Sequence, residues 1–112
     1  MQIEVKGRNV PVNDELRELV ERKFRKVAAQ VSDLARMELE VREERNPAIA
    51  ESQVAAVTLY LKGATLHAEG SSRDMHHSIK LCSLELARQV KRHRDKQRHR
   101  RDARNGPPQP AL

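Results

Sequence analysis

Residues 36–42 alternate without interruption between two kinds of side chain. Met37, Leu39 and Val41 are apolar, whereas Arg36, Glu38, Glu40 and Arg42 are charged. A period of two puts the apolar set on one face of an extended strand and the charged set on the other. Such a strand belongs to a sheet with one dry face and one wet face. Any fold for this chain must therefore bring helices to the dry side and leave the other side to water.

The remaining elements follow from similar patterns. Residues 2–6 alternate with Ile3 and Val5 on one side, which predicts a first strand, and residues 7–11 contain Gly, Asn and Pro and predict a turn. Asn13 stands where an N-cap belongs, with Asp14 and Glu15 in the first turn behind it. Leu16, Leu19, Val20, Phe24, Val27 and Val31 then recur at spacings of three and four. This predicts one amphipathic helix of about four to five turns. A charged loop over residues 43–52, with Asn46-Pro47 in it, leads to a β-prone run over 53–61. Lys62-Gly63 predicts a hairpin turn, with a returning strand over 64–70. Ser71 and Asp74 have capping-box spacing and predict the start of a second helix. Its apolar stripe is Met75, Ile79, Cys82, Leu86 and Val90, and its helix-friendly composition predicts an end near Lys96. The order β-α-β-β-β-α predicts an α+β two-layer sandwich, a four-stranded sheet with two helices packed on one face. The expected division is a folded domain over 1–98 and a basic, then Pro-rich, disordered tail over 99–112.

Composition narrows the function. A length of 112 residues suits one domain, and a single cysteine excludes an internal disulfide. No signal-peptide or membrane-spanning pattern is seen, so a soluble cytoplasmic protein is expected. The net charge of +6 is unevenly placed. Residues 88–104 hold nine Lys and Arg against two acids, whereas residues 1–87 hold 13 basic and 14 acidic groups. A dense one-signed block attracts polyanions and releases their counterions on binding. Its alternative role is that of a solubilising tail.

On a helical wheel Arg88, Lys91, Arg92 and Lys96 fall close together, and Arg94, Arg98 and Arg101 form a neighbouring row. Guanidinium forks and ammonium groups in such rows suit phosphates. With one Phe, one Tyr and no Trp, the chain lacks the aromatic platform of a single-strand reader. The chemistry expected is recognition of folded RNA through its backbone and shape. Gly-rich phosphate loops and G-x-S-x-G are absent, and no nucleophile and base can be paired. No enzymatic activity, cofactor or small-molecule substrate is therefore expected. His76-His77 lack a companion cysteine pair, and adjacent helical residues diverge, so no metal site is expected either. Cys82 lies on the apolar stripe and is expected to be an inert core residue.

The residues Leu66-His67-Ala68-Glu69-Gly70, Asp74-Met75, Leu86-Ala87-Arg88-Gln89-Val90 and Lys91-Arg92-His93-Arg94-Asp95-Lys96 resemble the end of the ribosome hibernation promoting factors, also called ribosome-associated translation inhibitors. Met1-Gln2-Ile3, Gly7, Leu16-Arg17-Glu18-Leu19-Val20, Lys23-Phe24 and Lys26 resemble the beginning of that family. The resemblance spans roughly residues 1–98. It departs at His76, Lys80 and Glu85, where Tyr, an acid and Lys are common in the family. It implies a β-α-β-β-β-α domain that binds 16S rRNA of the 30S subunit in the channel used by mRNA and tRNA. By the same resemblance the domain idles the 70S ribosome under stress or in stationary phase. Arg88, Arg92, Arg94 and Lys96 match basic positions of the family's second helix, and Lys23 and Lys26 match basic positions of its first. Lys91, Arg98 and Arg100 join them by charge and position. The chain resembles a short form, expected to be a monomer off the ribosome. The alternatives are a general double-stranded RNA-binding protein or RNA chaperone, and a protein-interaction module with a solubilising tail.

Overall fold

A computed structural model describes residues 1–46 and 48–105 of the chain. It contains β1 (Gln2–Arg8), α1 (Asp14–Lys23), α2 (Arg25–Gln30), β2 (Arg36–Glu43), β3 (Gln53–Leu61), β4 (Ala64–Ser72) and α3 (Met75–Asn105). The four strands form one sheet in the order β1-β2-β3-β4. β1 runs parallel to β2, with Gln2 beside Arg36 and Arg8 beside Arg42. A parallel pair needs a crossover, and α1 and α2 supply it. The other two pairings are antiparallel. β3 and β4 close as a hairpin at Lys62-Gly63, where Gly63 has φ +79°. A side chain is strained in that left-handed conformation, which glycine adopts freely.

The alternation over residues 36–42 sets the layers. Met37, Leu39 and Val41 pair across β2 and β3 with Leu59, Val57 and Ala55, and all six are buried. Leu16, Leu19, Val20, Phe24 and Val27 from the first two helices cover them, together with Ile79, Cys82, Leu86 and Val90 from α3. The predicted α+β sandwich is present. Asn13 caps α1 as its position predicts, its side-chain oxygen accepting the Leu16 N–H at 2.9 Å. Gly70 lets α3 lie directly on β4, since a Cβ there would sit 2.4 Å from the Ser78 carbonyl oxygen and 2.7 Å from the Cys82 nitrogen.

Four local expectations need correction. The first helix is two helices, because Phe24 leaves helical geometry (φ −98°, ψ 10°). Backbone bonds continue on both sides of the break, from Phe24 N–H to Val20 O and from Ala28 N–H to Phe24 O. The chain bends between these two bonds, and three helices cover the sheet. β1 extends to Arg8, into the stretch expected to be a turn. Ser71 is no helix cap, because it pairs with Val54 inside the β-ladder. The turn into α3 is made by Ser72, whose Oγ accepts the Asp74 N–H at 3.1 Å. Ser72 Oγ also lies 2.8 Å from Ser78 Oγ, which donates to the Gln53 carbonyl at 2.6 Å. Ser72 Oγ in turn donates to the Asp74 carbonyl at 2.6 Å, so one short network ties the start of β3, the end of β4 and the start of α3.

The fourth correction is that α3 passes its expected end near Lys96 and continues to Asn105. Residues 97–105 contain neither Gly nor Pro, so nothing in the chain stops the helix there. The expected domain boundary at 98 falls inside this helix. The Pro-rich segment 106–112 and Pro47 lie outside the described residues. Among the described residues, no helix is long and apolar enough to cross a membrane.

Cys82 occupies the core, its Sγ donating to the Ala68 carbonyl at 3.6 Å. Burial is the main cause that pushes the thiol from 9.0 up to about 12. The native state therefore holds its proton more tightly than the unfolded chain does. This contribution to stability is complete below pH 9.0 and is lost as pH rises toward about 12. Thiol reagents at neutral pH should leave the native chain unlabelled and label it in denaturant. Fast labelling of the native chain would contradict the packing described.

Candidate nucleic-acid interface

The cations that matter come from three helices that the topology brings to one end of the sheet. Gln2, Arg36, Tyr60 and Thr65 share a row of the β-ladders and mark that end. α2 feeds into β2 beside Arg36, so the last turn of α1 and the whole of α2 lie there. They carry Arg22, Lys23, Arg25 and Lys26, all exposed. α3 runs antiparallel to β4 and reaches the same end with its second half. There Glu85, Gln89, Arg92, His93 and Lys96 line a shallow groove with Leu66 of β4. α2 packs against α3.

Helical periodicity then divides the α3 cations into two rows. Arg92 and Lys96 border the groove on the β4 side. Lys91, Arg94 and Arg98 lie on the other flank, toward α1 and α2. Lys23 and Lys26, far from α3 in sequence, thus stand at the same end of the molecule as that row. The core explains why the cations are exposed. Val90 is the last buried residue among positions 75–98 of α3, and from Lys91 to Arg98 only His93 is even half-buried.

Pairing distinguishes this end from the rest of the surface. On the open face of the sheet, Lys6 lies 3.7 Å from Glu4 and Arg36 lies 3.7 Å from Glu38. Arg36 also stacks over Tyr60, 4.5 Å from the ring centroid. Arg42 meets Glu44 at 2.9 Å, Glu69 at 3.5 Å and Glu40 at 3.9 Å. The hydrogen bond it donates to Glu44 is the main reason its pKa is raised, so it holds its charge firmly within a carboxylate cluster. By contrast, Lys23, Lys26, Lys91, Arg92, Arg94 and Lys96 have no carboxylate of residues 1–98 within 4.0 Å among the described residues. Arg88 differs from its neighbours in being bonded to Glu85, one turn earlier on α3.

Sequence patterns did not single out several features of this end. Arg22 and Arg25 accompany Lys23 and Lys26. Gln89 and His93 join the groove with Arg92 and Lys96. Leu34, 94% exposed, sits in the turn between α2 and β2 and adds an apolar tip. Helical spacing puts Gln89 and His93 on one face with Arg92 and Lys96, but only the strand order and register bring that face to Leu66 and to the end that carries α2. His76 and His77 are exposed at the opposite end of α3, and among the described residues no three His, Cys, Asp or Glu side chains form a metal-binding group.

A small α+β domain that gathers cations at one end, and pairs those on its sheet with carboxylates, has the charge distribution that attracts polyanions. More narrowly, the chain belongs to the family of ribosome hibernation promoting factors. The family model described as Sigma 54 modulation protein / S30EA ribosomal protein matches residues 3–98. The ribosome hibernation promoting factor of Salmonella typhimurium is 31% identical over 96 residues, covering 86% of this chain and 96% of that protein. Its namesake from Escherichia coli K12 is 29% identical with the same coverage. The Lactococcus lactis ribosome hibernation promotion factor is 33% identical over 112 residues, which span 96% of this chain and 56% of that longer protein.

Two solved structures share the fold. A ribosomal subunit interface protein from Coxiella burnetii superposes with a TM-score of 0.71 at 21% identity, covering 85% of this chain and 99% of that one. The N-terminal domain of Thermus thermophilus Protein Y gives 0.71 at 22% identity, covering 83% and 99%.

Proposed function

We propose that this chain is a cytoplasmic ribosome hibernation factor that binds 16S rRNA in the mRNA and tRNA channel of the 30S subunit and so inhibits translation. The observation that carries this reading is the set of unpaired cations gathered at one end of the sheet, within a domain of this family. Arg92, Arg94, Lys96, Lys91 and Arg98 from α3, with Lys23 and Lys26 beside them, contact RNA phosphates. Arg88 contributes less, because Glu85 already holds it. The mechanism is steric. The helices anchor the domain, the domain occupies space that mRNA and tRNA need, and no bond is made or broken. The folded domain works as a monomer over residues 1–98. On the open sheet face, Lys6, Arg36 and Arg42 are already held by carboxylates, so that face offers phosphates little.

Co-sedimentation with separated 30S, 50S and 70S particles tests the reading. The protein should travel with 30S and 70S. With about six or seven phosphate contacts, affinity should fall roughly a thousandfold over a roughly fourfold rise in salt. Saturating protein should lower the output of a translation assay and increase idle 70S particles. Unchanged output at saturation would overturn the reading. Equal affinity for any RNA duplex, without preference for 30S, would favour a general double-stranded RNA binder instead.

A further inference from the structure

The core does not account for the last part of α3. The helix has 31 residues and continues to Asn105, yet from Lys91 to Arg98 no side chain is buried, Val90 being the last buried one among residues 75–98. The 15 residues after Val90 extend the helix about 20 Å beyond its last core contact. The family model stops at residue 98, so the last seven residues of the helix lie past the matched domain.

The sequence of this overhang disfavours a helix in isolation. Lys96 and Arg100, Arg94 and Arg98, and Arg100 and Arg104 stand four apart, while Arg98 and Arg101, and Arg101 and Arg104, stand three apart. Like charges at these spacings repel. Asp95 and Asp102 are the only acids after residue 90. An unsupported helical stretch this short is marginal in water even when its side chains favour it. A polyanion removes the repulsion, and phosphates spaced along a strand can meet successive turns of cations. The composition otherwise favours a helix, because Gln, Arg and Ala are good formers and Gly and Pro are absent from residues 97–105.

We infer that residues 97–105 form an RNA-binding arm, a helical extension that grips RNA backbone outside the footprint of the folded domain and is held helical by the phosphates it contacts. The inference deepens the ribosomal reading and rests on it for the identity of the RNA. The arm shares Arg98 with the domain and adds phosphate contacts from Arg100, Arg101 and Arg104. An extended tail of equal charge would attract RNA too, but it would tolerate any backbone shape. The arm requires the helix.

Three full-length variants test this. Gln97→Pro keeps every charge and breaks the helix at the base of the arm. Gln97→Ala keeps both helix and charge. The combined Arg98→Gln, Arg100→Gln, Arg101→Gln and Arg104→Gln variant keeps the helix and removes the charge. Binding to a synthetic RNA hairpin is measured by fluorescence anisotropy at two salt concentrations, alongside sedimentation with 30S. Gln97→Pro and the fourfold variant should each weaken hairpin binding by about tenfold, and the fourfold variant should lower the salt slope by about 2 to 3. Gln97→Ala should bind like the parent chain. Amide exchange over 97–105 should slow when the hairpin is added. Parent-like binding by Gln97→Pro would overturn the helical arm, and parent-like binding by the fourfold variant would overturn the arm altogether. Failure of the parent chain to sediment with 30S would sink the ribosomal reading, while the hairpin comparison would still decide the arm.

Discussion

Replacing Arg88, Arg92, Arg94 and Lys96 together by Gln lowers ribosome association by roughly a hundredfold at low salt and flattens its salt dependence by about 3 in slope. The expectation rests on pairing rather than on charge count. Three of the four cations have no carboxylate neighbour among the described residues, so their full attraction is available to phosphates. The fourth, Arg88, already donates to Glu85. The single changes should therefore be unequal, with Arg88→Gln costing least and Arg92→Gln, Arg94→Gln and Lys96→Gln each costing several-fold more. Glu85→Gln should strengthen binding by releasing Arg88. None of these side chains belongs to the core, and exposed substitutions of this kind change stability by no more than about 0.5 kcal/mol. Circular dichroism should confirm an intact fold, so that a binding loss reads on the interface alone. Co-sedimentation at two salt concentrations gives both numbers. Parent-like association of the fourfold variant would remove the physical basis of the functional reading.

The parts of this molecule visible in its sequence are those fixed by local periodicity. The alternation over 36–42 gave β2 and the identity of its buried face. The Asn13 cap and the apolar spacing gave α1. Lys62-Gly63 gave the hairpin, because a two-residue loop needs the conformational freedom that glycine brings. The parts that were not visible depend on contacts between elements. Nothing around Phe24 is a helix breaker, so the bend there leaves no mark in the sequence. Ser71 looked like a cap because its spacing to Asp74 was right, but ladder pairing with Val54 claimed it first. The end of α3 was misplaced because the apolar stripe ends at Val90 while the helix does not. The site shows the same division. The cations of α3 form a dense run and are conspicuous in the sequence. Their convergence with Lys23 and Lys26 depends on a parallel β1–β2 pair, whose crossover brings α2 to the end of the sheet where α3 finishes.

Phe24 is the position where fold and site meet, and Phe24→Ala should be the most damaging single core substitution. Its side chain is completely buried between the helices and the sheet, and it is the only Phe in the chain. Truncation of a buried Phe costs about 3–5 kcal/mol through lost burial and the cavity left behind. A domain of this size has only about 5–15 kcal/mol in total. At about 4–8 °C per kcal/mol, the midpoint of thermal unfolding should fall by about 15 °C or more. Phe24→Leu refills most of the space and should lower it far less. α2 has a single fully buried anchor of its own, Val27, so Phe24 at its N-terminal end does much to hold it against α3. Loss of the ring should therefore also loosen Lys26, weakening ribosome binding several-fold at temperatures where the chain remains folded, whereas the α3 cations keep their places. Thermal unfolding and co-sedimentation on the same preparation separate the two effects. A midpoint within a few degrees of the parent would mean that the bend at Phe24 carries no packing energy, and that α2 and its lysines are held in place by something other than the core.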